Sequence, residues 1–439
     1  MEKYKQIFID LIKLTLPILA GNLSQILIFL ADTIVAGRYS TVALGAISVA
    51  SAITMTATIA AIGIVVAISP VVSNYRGAKI PAKKYFGFSV LFSFLVSIPF
   101  FLLLKLATIK LHTFNLDQEL FPYVKQYLEV CAWTVFPATI FVAIKEFLQA
   151  YEKVIFANVL MFLSVIVNLI LNIILTFGLD WNFIHIQEMG VLGLSVATLA
   201  TRLTSMFGIL LYCIPLFKNG IKISKKYIKD LMKTGVPISF ALFFEFLGFN
   251  LTAVLIGKFS ALFAAVHNII LCIANVTFMI CLSVSNASAV KIGFFNGKKD
   301  KTNVVKYAKT SIFIILIIAF CAFLTLSLFS EQIILIFSKD PQVVALCQKI
   351  MVLVLAFLFF DCMQCANVGI LKGLKDTKAP MFATLFGYLI IAIPLGSFLA
   401  FKKGIVLEGF WLGLALALFS VAIITGLRVV YDIKKLPYQ

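Results

Sequence analysis

Twelve apolar runs, each long enough to cross a bilayer, constrain this chain more than any other feature of its 439 residues. They fall at 14–36, 46–72, 87–109, 122–148, 156–178, 190–214, 231–256, 262–290, 308–329, 343–370, 380–400 and 407–430. A helix rises 1.5 Å per residue, so about 20 apolar residues cross the roughly 30 Å hydrocarbon core. Charged or Gly/Pro-bearing loops separate the runs, as topology rules require. The chain is 62% apolar and 13% charged, against about 25% charged for a soluble domain. Such a chain cannot cover itself with polar groups, and its remaining apolar surface must face lipid. The expected fold class is all-α integral membrane, with twelve transmembrane helices. The first run follows a short mixed-charge segment and is too long for a cleaved secretory signal, so it is read as a retained helix.

The net charge of +18 raises the question of nucleic acid, and its placement answers it. With both termini on the cytoplasmic side, 26 Lys and Arg lie near the inner ends of the helices and eight near the outer ends. That asymmetry follows the positive-inside rule and suits anionic membrane lipid. No nucleic-acid partner is expected.

An internal repeat halves the problem. A shift of 220 residues lays Pro17-Ile18 on Pro237-Ile238, Gly37-Arg38-Tyr39-Ser40 on Gly257-Lys258-Phe259-Ser260, Gly77 on Gly297 and Lys79 on Lys299. A shift of 223 lays Leu148-Gln149-Ala150-Tyr151-Glu152 on Leu371-Lys372-Gly373-Leu374-Lys375. Six spans per half is an even number, so the copies enter the membrane with the same orientation, a parallel repeat. The expectation is an N-terminal six-helix lobe over 1–215, a basic cytoplasmic linker over 216–230 and a pseudo-symmetric C-terminal six-helix lobe over 231–439. The paired prolines are expected to bend the first helix of each half.

An ionisable side chain at the centre of a span costs at least about 2.5–3.5 kcal/mol, so each one needs a reason. Asp32, Glu245 and Asp361 stand well inside apolar runs, and all three break the repeat: their counterparts are Thr252, Gln25 and Ala138. Burial disfavours a charged carboxylate, so such a group takes up a proton or ligates a cation; Na⁺, a hard ion, prefers oxygen ligands, as the larger hard cations do. Glu245 and Asp361 are therefore candidate Na⁺ or proton ligands. Possible polar cavity residues are Gln25, Asn168, Asn172, Asn268, Asn275 and Gln364, which by another reading glue helices together. Phe244, Phe249 and Phe278 are aromatic cavity candidates. Glu129, Glu146 and Arg202 are expected to snorkel from helix ends, and the lone His267 to be packed or interfacial.

Enzyme chemistry finds no foothold. Cys362 and Cys365 form a lone C-x-x-C without the four ligands a zinc site needs. There is no phosphate loop of the G-x-x-x-x-G-K-[ST] form and no H-E-x-x-H helix. The chain is not expected to be an enzyme or to hold a cofactor.

Leu16-Pro17 early in helix one, with Ala31-Asp32-Thr33 and Ala36-Gly37 near its end, is similar to the multidrug and toxic compound extrusion (MATE) family. Gly235-Val236-Pro237-Ile238 followed by Phe243-Phe244-Glu245 resembles that family's helix seven, and Gly369-Ile370-Leu371-Lys372-Gly373 with Lys375-Asp376-Thr377 its loop after helix ten. The details resemble the bacterial NorM-like branch across essentially the whole chain. The resemblance implies export of organic, often cationic, drugs by antiport with Na⁺ or H⁺, from a monomer in the bacterial inner membrane. It assigns cation coupling to Glu245 and Asp361 and a proton- or substrate-linked role to Asp32. Some relatives carry a tyrosine one turn before the helix-ten acid, where this chain has only Phe357 to Phe360. The alternative is a flippase for a lipid-linked saccharide or peptidoglycan precursor. A diphosphate head group would call for a strongly basic cavity, whereas the intramembrane charges here are mostly acidic.

Overall fold

The computed structural model describes residues 2–114, 118–181, 184–218 and 220–437. A helix covers each of the twelve apolar runs: α1 (Tyr4–Tyr39), α2 (Thr41–Gly77), α3 (Ala82–Ile109), α4 (Phe121–Ala150), α5 (Ile155–Phe177), α6 (Val191–Tyr212), α7 (Lys225–Gly257), α8 (Ala261–Gly297), α9 (Lys301–Phe337), α10 (Met351–Leu374), α11 (Lys378–Lys403) and α12 (Leu407–Lys435). Several extend well past the apolar run, because a helix needs an apolar face only at membrane depth and its polar ends are held by caps. The Ser40 hydroxyl accepts from Ala43 N–H at 3.0 Å, Ser260 from Leu262 N–H at 3.1 Å, and Asp300 from Asn303 N–H at 3.0 Å. In α9 the expected span stops at Phe329, where the helix kinks (φ −125°, ψ 16°) before continuing to Phe337. The run at 343–370 is divided into a short helix, Pro341–Lys349, and α10. Outside the helices, β1 (Leu179–Trp181) and β2 (Ile184–Ile186) form a small antiparallel ribbon in the register Asp180 opposite His185.

The repeat is written into the backbone in the two registers the sequence suggested. Among the described residues, four that are not glycine adopt positive φ: Lys79 (59°), Lys299 (61°), Glu152 (62°) and Lys375 (66°). Each closes a helix with the same pair of bonds. Lys79 N–H donates to Arg76 C=O (3.0 Å) and Ile80 N–H to Tyr75 C=O (2.9 Å); the same pair recurs from Lys299 and Asp300 at 3.1 and 3.0 Å. From Glu152 and Lys153 it recurs at 2.8 and 2.9 Å, and from Lys375 and Asp376 at 3.1 and 3.0 Å. This is the Schellman ending, which satisfies the last carbonyls of a helix. A side chain in the left-handed region costs about 1–2 kcal/mol, so keeping it at four matched positions marks a shared ancestral backbone rather than four coincidences.

The chain forms two compact units. One comprises Met1–Leu19, Ser73–Ile80 and Val236–Gln439, the other Ala20–Val72 and Pro81–Gly235. Both passages through a first helix fall within a few residues of its proline, Pro17 or Pro237, yet α1 and α7 remain helical through those prolines.

In the unit containing Val236–Gln439, α8 packs on α10 and α10 on α12. Its apolar core gathers around Trp411, Phe357, Phe410 and Tyr388, all nearly inaccessible, with Phe357 edge-on to Trp411 at 5.3 Å. His267 is fully buried beside Trp411, their rings 5.6 Å apart. Within this unit Gly77 meets the end of α8 at backbone contact: a Cβ there would overlap the Phe294 carbonyl, and a Cβ on Gly297 would overlap the Asn74 carbonyl. Asn74 also donates its amide to Gly293 C=O at 3.4 Å. In the other unit α5 packs on α6, α4 on α6, and α3 on α4. Large apolar side chains such as Ile336 (79% exposed) and Val352 (77%) point outward from the bundle, as lipid-facing residues do.

Candidate functional site

The acids inside the spans fall into two separate sites, one in each unit. In the unit of Val236–Gln439, Glu245 sits on α7 and faces a pocket of about 40 Å³ lined by Phe278, Ser285, Gln364, Cys365 and Lys372 among others. A water needs at least about 10–15 Å³, so the pocket has room for a few water-sized groups and not for a drug-sized molecule. Gln364 donates its amide to Glu245 Oε1 at 3.2 Å, and the Tyr388 hydroxyl donates to the same oxygen at 3.4 Å. Asp361 is buried one turn before Gln364 and Cys365 on α10. Among the described residues neither Glu245 nor Asp361 has an ion-pair partner within 4.0 Å.

Tyr388 was not legible as a site residue. It lies in a π-helical stretch of α11, Phe386–Ala392, and the extra residue per turn in such a stretch re-aims the side chains that follow. Its ring also needs Gly248, one turn beyond Glu245, since a Cβ there would come within 2.7 Å of the Tyr388 ring. A phenol from α11 thus reaches Glu245, while the position one turn before Asp361 carries none. A tyrosine set in an apolar run is the only sequence signal for it, and several others share that signal.

The second site lies in the unit of Ala20–Val72 and Pro81–Gly235. Asp32 is buried on α1; its Oδ1 accepts from Asn172 Nδ2 at 2.6 Å and its Oδ2 from the Thr198 hydroxyl at 3.4 Å. Asn172 also donates to Asn168 Oδ1 at 3.0 Å. Asn168 and Asn172 are one turn apart on α5 and fully buried, because a four-residue spacing puts both amides on the face turned to α1. Asn172 Oδ1 remains without a partner, leaving an acceptor for water. Gln25, Asp32, Asn168, Thr198 and Arg202 line a cavity of about 230 Å³. A cavity of about 150 Å³ admits benzene, so this one has room for a molecule of at least that size.

One acid and one base expected to snorkel from helix ends are placed differently. Arg202 stands in the middle of α6, on the cavity wall, and donates to the Thr134 hydroxyl at 3.0 Å. Glu146 is buried on α4 and accepts from Gln149 at 3.4 Å. Both depart from snorkelling because polar neighbours inside the unit satisfy them at depth. Glu129 is exposed. Of the aromatic candidates, Phe278 lines the small pocket, Phe249 packs against Phe357 and Tyr388 at 6.0 and 5.4 Å, and Phe244 packs among Phe240 and Phe243. Asn268 and Asn275 are exposed and line neither cavity.

The MatE family profile matches the chain twice, over residues 17–174 and 237–398. The chain belongs to the MATE family. The two matches begin at Pro17 and Pro237, in the 220-residue register of the repeat. Similar MATE relatives include the multidrug resistance protein NorM of Aliivibrio fischeri, 25% identical over 98% of this chain and 96% of its own length. The multidrug resistance protein MdtK of Yersinia enterocolitica is 28% identical over the same shares. The fold matches a MATE transporter of the MOP superfamily solved in an outward-facing conformation (TM-score 0.87, 19% identity, 99% and 97% of the two chains). It also matches the eukaryotic MATE transporter AtDTX14 (TM-score 0.86, 18% identity, 98% of each chain). Membership makes the chain a multi-pass membrane transporter and not an enzyme.

Proposed function

We propose that this chain exports small organic compounds, often cations, by antiport with Na⁺ or H⁺ entering down its gradient. Glu245 carries the reading. It is a carboxylate at membrane depth with no ion-pair partner among the described residues, on a pocket too small for a drug and supplied with oxygen donors by Gln364, Tyr388 and Ser285. Asp361, one turn before Gln364 on α10 and outside the lining of that pocket, adds a second buried carboxylate, and the coupling ion's charge offsets the burial of both. Asp32 holds or releases cargo in the larger cavity, where an organic cation would replace the donors of Asn172 and Thr198. In this reading residues 1–215 and 231–439 work as two lobes joined by the basic segment 216–230. The termini lie in the cytoplasm of a bacterial cell, and the transporter acts as a monomer.

The test uses purified protein in liposomes loaded with a fluorescent organic cation, under an imposed Na⁺ or proton gradient. Movement of the dye against its own gradient, lost in Glu245→Gln and Asp361→Asn, supports antiport, and the gradient that works identifies the ion. Full transport by both neutral variants would remove these acids from the coupling role. No movement under either gradient, from protein shown to be folded, would overturn antiport in favour of a flippase.

A further inference from the structure

A groove on the unit of Val236–Gln439 lies apart from both acid sites. It runs between the start of α1 and the early part of α9, encloses about 430 Å³ and is lined by Tyr4, Lys5, Phe8, Lys309, Thr310 and Phe313. All six belong to that one unit. Lys5 and Lys309 are exposed, and among the described residues neither makes an ion pair within 4.0 Å. Asp10, further along α1, is taken by other partners: its Oδ1 accepts from Gln6 at 3.1 Å and its Oδ2 from the Tyr307 hydroxyl at 3.3 Å.

Thr310 is the more telling residue. It is only 5% exposed, yet its hydroxyl has no hydrogen-bond partner. A threonine inside a helix commonly donates to the carbonyl four residues back, as Thr108, Thr201 and Thr425 do in this chain. Thr310 leaves its donor to the groove it lines, and an unmade hydrogen bond in a buried place is costly. Beyond the lysines the surface turns apolar. Lys309 stands one turn before Phe313, and Phe313, Leu316, Ile317 and Phe320 follow at the three- and four-residue spacing that puts them on one face of α9. All four are exposed, Phe320 at 65%. The strip runs about 10 Å into the apolar run 308–329, so it leads from the edge of the membrane into the hydrocarbon.

We infer that this groove binds an anionic phospholipid from the leaflet on the side of the N-terminus. Its phosphate lies between Lys5 and Lys309 and accepts from Thr310, and one acyl chain follows Phe313, Leu316 and Phe320. Lysines at a membrane boundary attract anionic head groups, but on a chain of net charge +18 that holds in many places. The buried unpaired hydroxyl and the apolar strip single out this one. A free phosphate would leave the strip unused, and a neutral lipid would leave both lysines unpaired. Bound there, the lipid bridges α1 and α9 beside the Tyr307–Asp10 contact and holds the part of α1 before Pro17 against its unit.

The test places the purified full chain in phosphatidylcholine nanodiscs doped with phosphatidylglycerol that carries a diazirine on its acyl chain. After illumination the labelled peptides are located by mass spectrometry. Label is expected on α9 between Lys309 and Phe320, about tenfold or more above that left by the same diazirine on phosphatidylcholine. Unlabelled phosphatidylglycerol should displace it, and millimolar glycerol phosphate should not. Lys5→Gln combined with Lys309→Gln should lower the label there by about tenfold or more, since each lysine near the surface contributes about fivefold. Lys225→Gln combined with Lys226→Gln, the same loss of charge at the start of α7, should leave it unchanged. Thr310→Val alters no charge and should lower the label about three- to tenfold. It should not lower the melting temperature in lipid-free detergent, because that hydroxyl has no protein partner to lose. Should the Lys5 and Lys309 variant fail to fold, Thr310→Val alone decides. Equal labelling by the two lipids overturns the inference, as does label that Thr310→Val leaves intact or that the α7 pair lowers equally. Displacement by glycerol phosphate overturns it too, by making the groove a site for free anions.

Discussion

The two acid sites of this transporter differ in room more than in chemistry. Glu245 faces about 40 Å³ and Asp32 about 230 Å³. Each acid accepts from an amide and a hydroxyl, Gln364 and Tyr388 in one unit and Asn172 and Thr198 in the other. One duplicated scaffold thus offers a carboxylate with similar polar support in two sizes of enclosure. The smaller suits a stripped ion and the larger an organic ligand. Position along the repeat supports the contrast, since each acid faces a neutral residue in the other copy. The acids diverged between the copies, while the helix endings at Lys79, Lys299, Glu152 and Lys375 kept their shape.

The sharpest way to break this comparison is to neutralise each acid and read ion and cargo separately. Glu245→Gln should reduce gradient-driven dye transport by about 100-fold or more and abolish the rise in thermal stability that a saturating coupling ion confers. Binding of the organic probe at equilibrium should change by no more than about threefold. Asp32→Asn should do the opposite, weakening amine-bearing probes by about tenfold or more while leaving ion-induced stabilisation in place. If Asp32→Asn removes that stabilisation as thoroughly as Glu245→Gln does, the sites do not divide the work.

Smaller changes sharpen it further. Gly77→Val and Gly297→Val each push a side chain into a carbonyl, and overpacking of that kind costs about 1–3 kcal/mol. Both should lower the melting temperature in detergent by similar amounts; a large drop from one and none from the other would mean the two contacts are not equivalent. Tyr388→Phe deletes a single donor to Glu245 and should weaken apparent ion affinity by about three- to tenfold with little effect on probe binding. Unaltered ion dependence would take Tyr388 out of the ion's surroundings. The smallest effect belongs to Lys299→Gly, which relieves a left-handed side chain and should stabilise by about 0.5–1 kcal/mol, seen as a small rise in melting temperature.

Long apolar runs announce themselves, so the number and order of helices were legible in the sequence, and so were both registers of the repeat. Intramembrane acids were legible for the same reason: Asp32, Glu245 and Asp361 are expensive where they stand. What escaped were residues whose meaning depends on which helix they meet. Tyr388 reaches Glu245 only through a π-helical stretch and the missing Cβ of Gly248, and neither leaves a periodic trace. Arg202 read as a snorkelling base because charge inside a span suggests an end. Its place in the middle of the run 190–214 was legible; what the packing of α4, α5 and α6 adds is that it lines the same cavity as Asp32. Helix lengths escaped in part because hydropathy measures the membrane's thickness, whereas caps such as Asp300 set where the helix itself begins.

The contact at Gly77 and Gly297 has the form of an isologous interface, in which one residue touches a second and the second's copy touches the first's. Position 74 pairs with 294 and position 77 with 297, so the two overlaps are one contact seen from each copy. A six-helix ancestor pairing with itself would show this arrangement with a single glycine codon serving both sides. In such a dimer one mutation would have struck twice and been purged. After duplication each glycine answers for itself, and both have stayed. The survival of both is a record of constraint written in two places by one event.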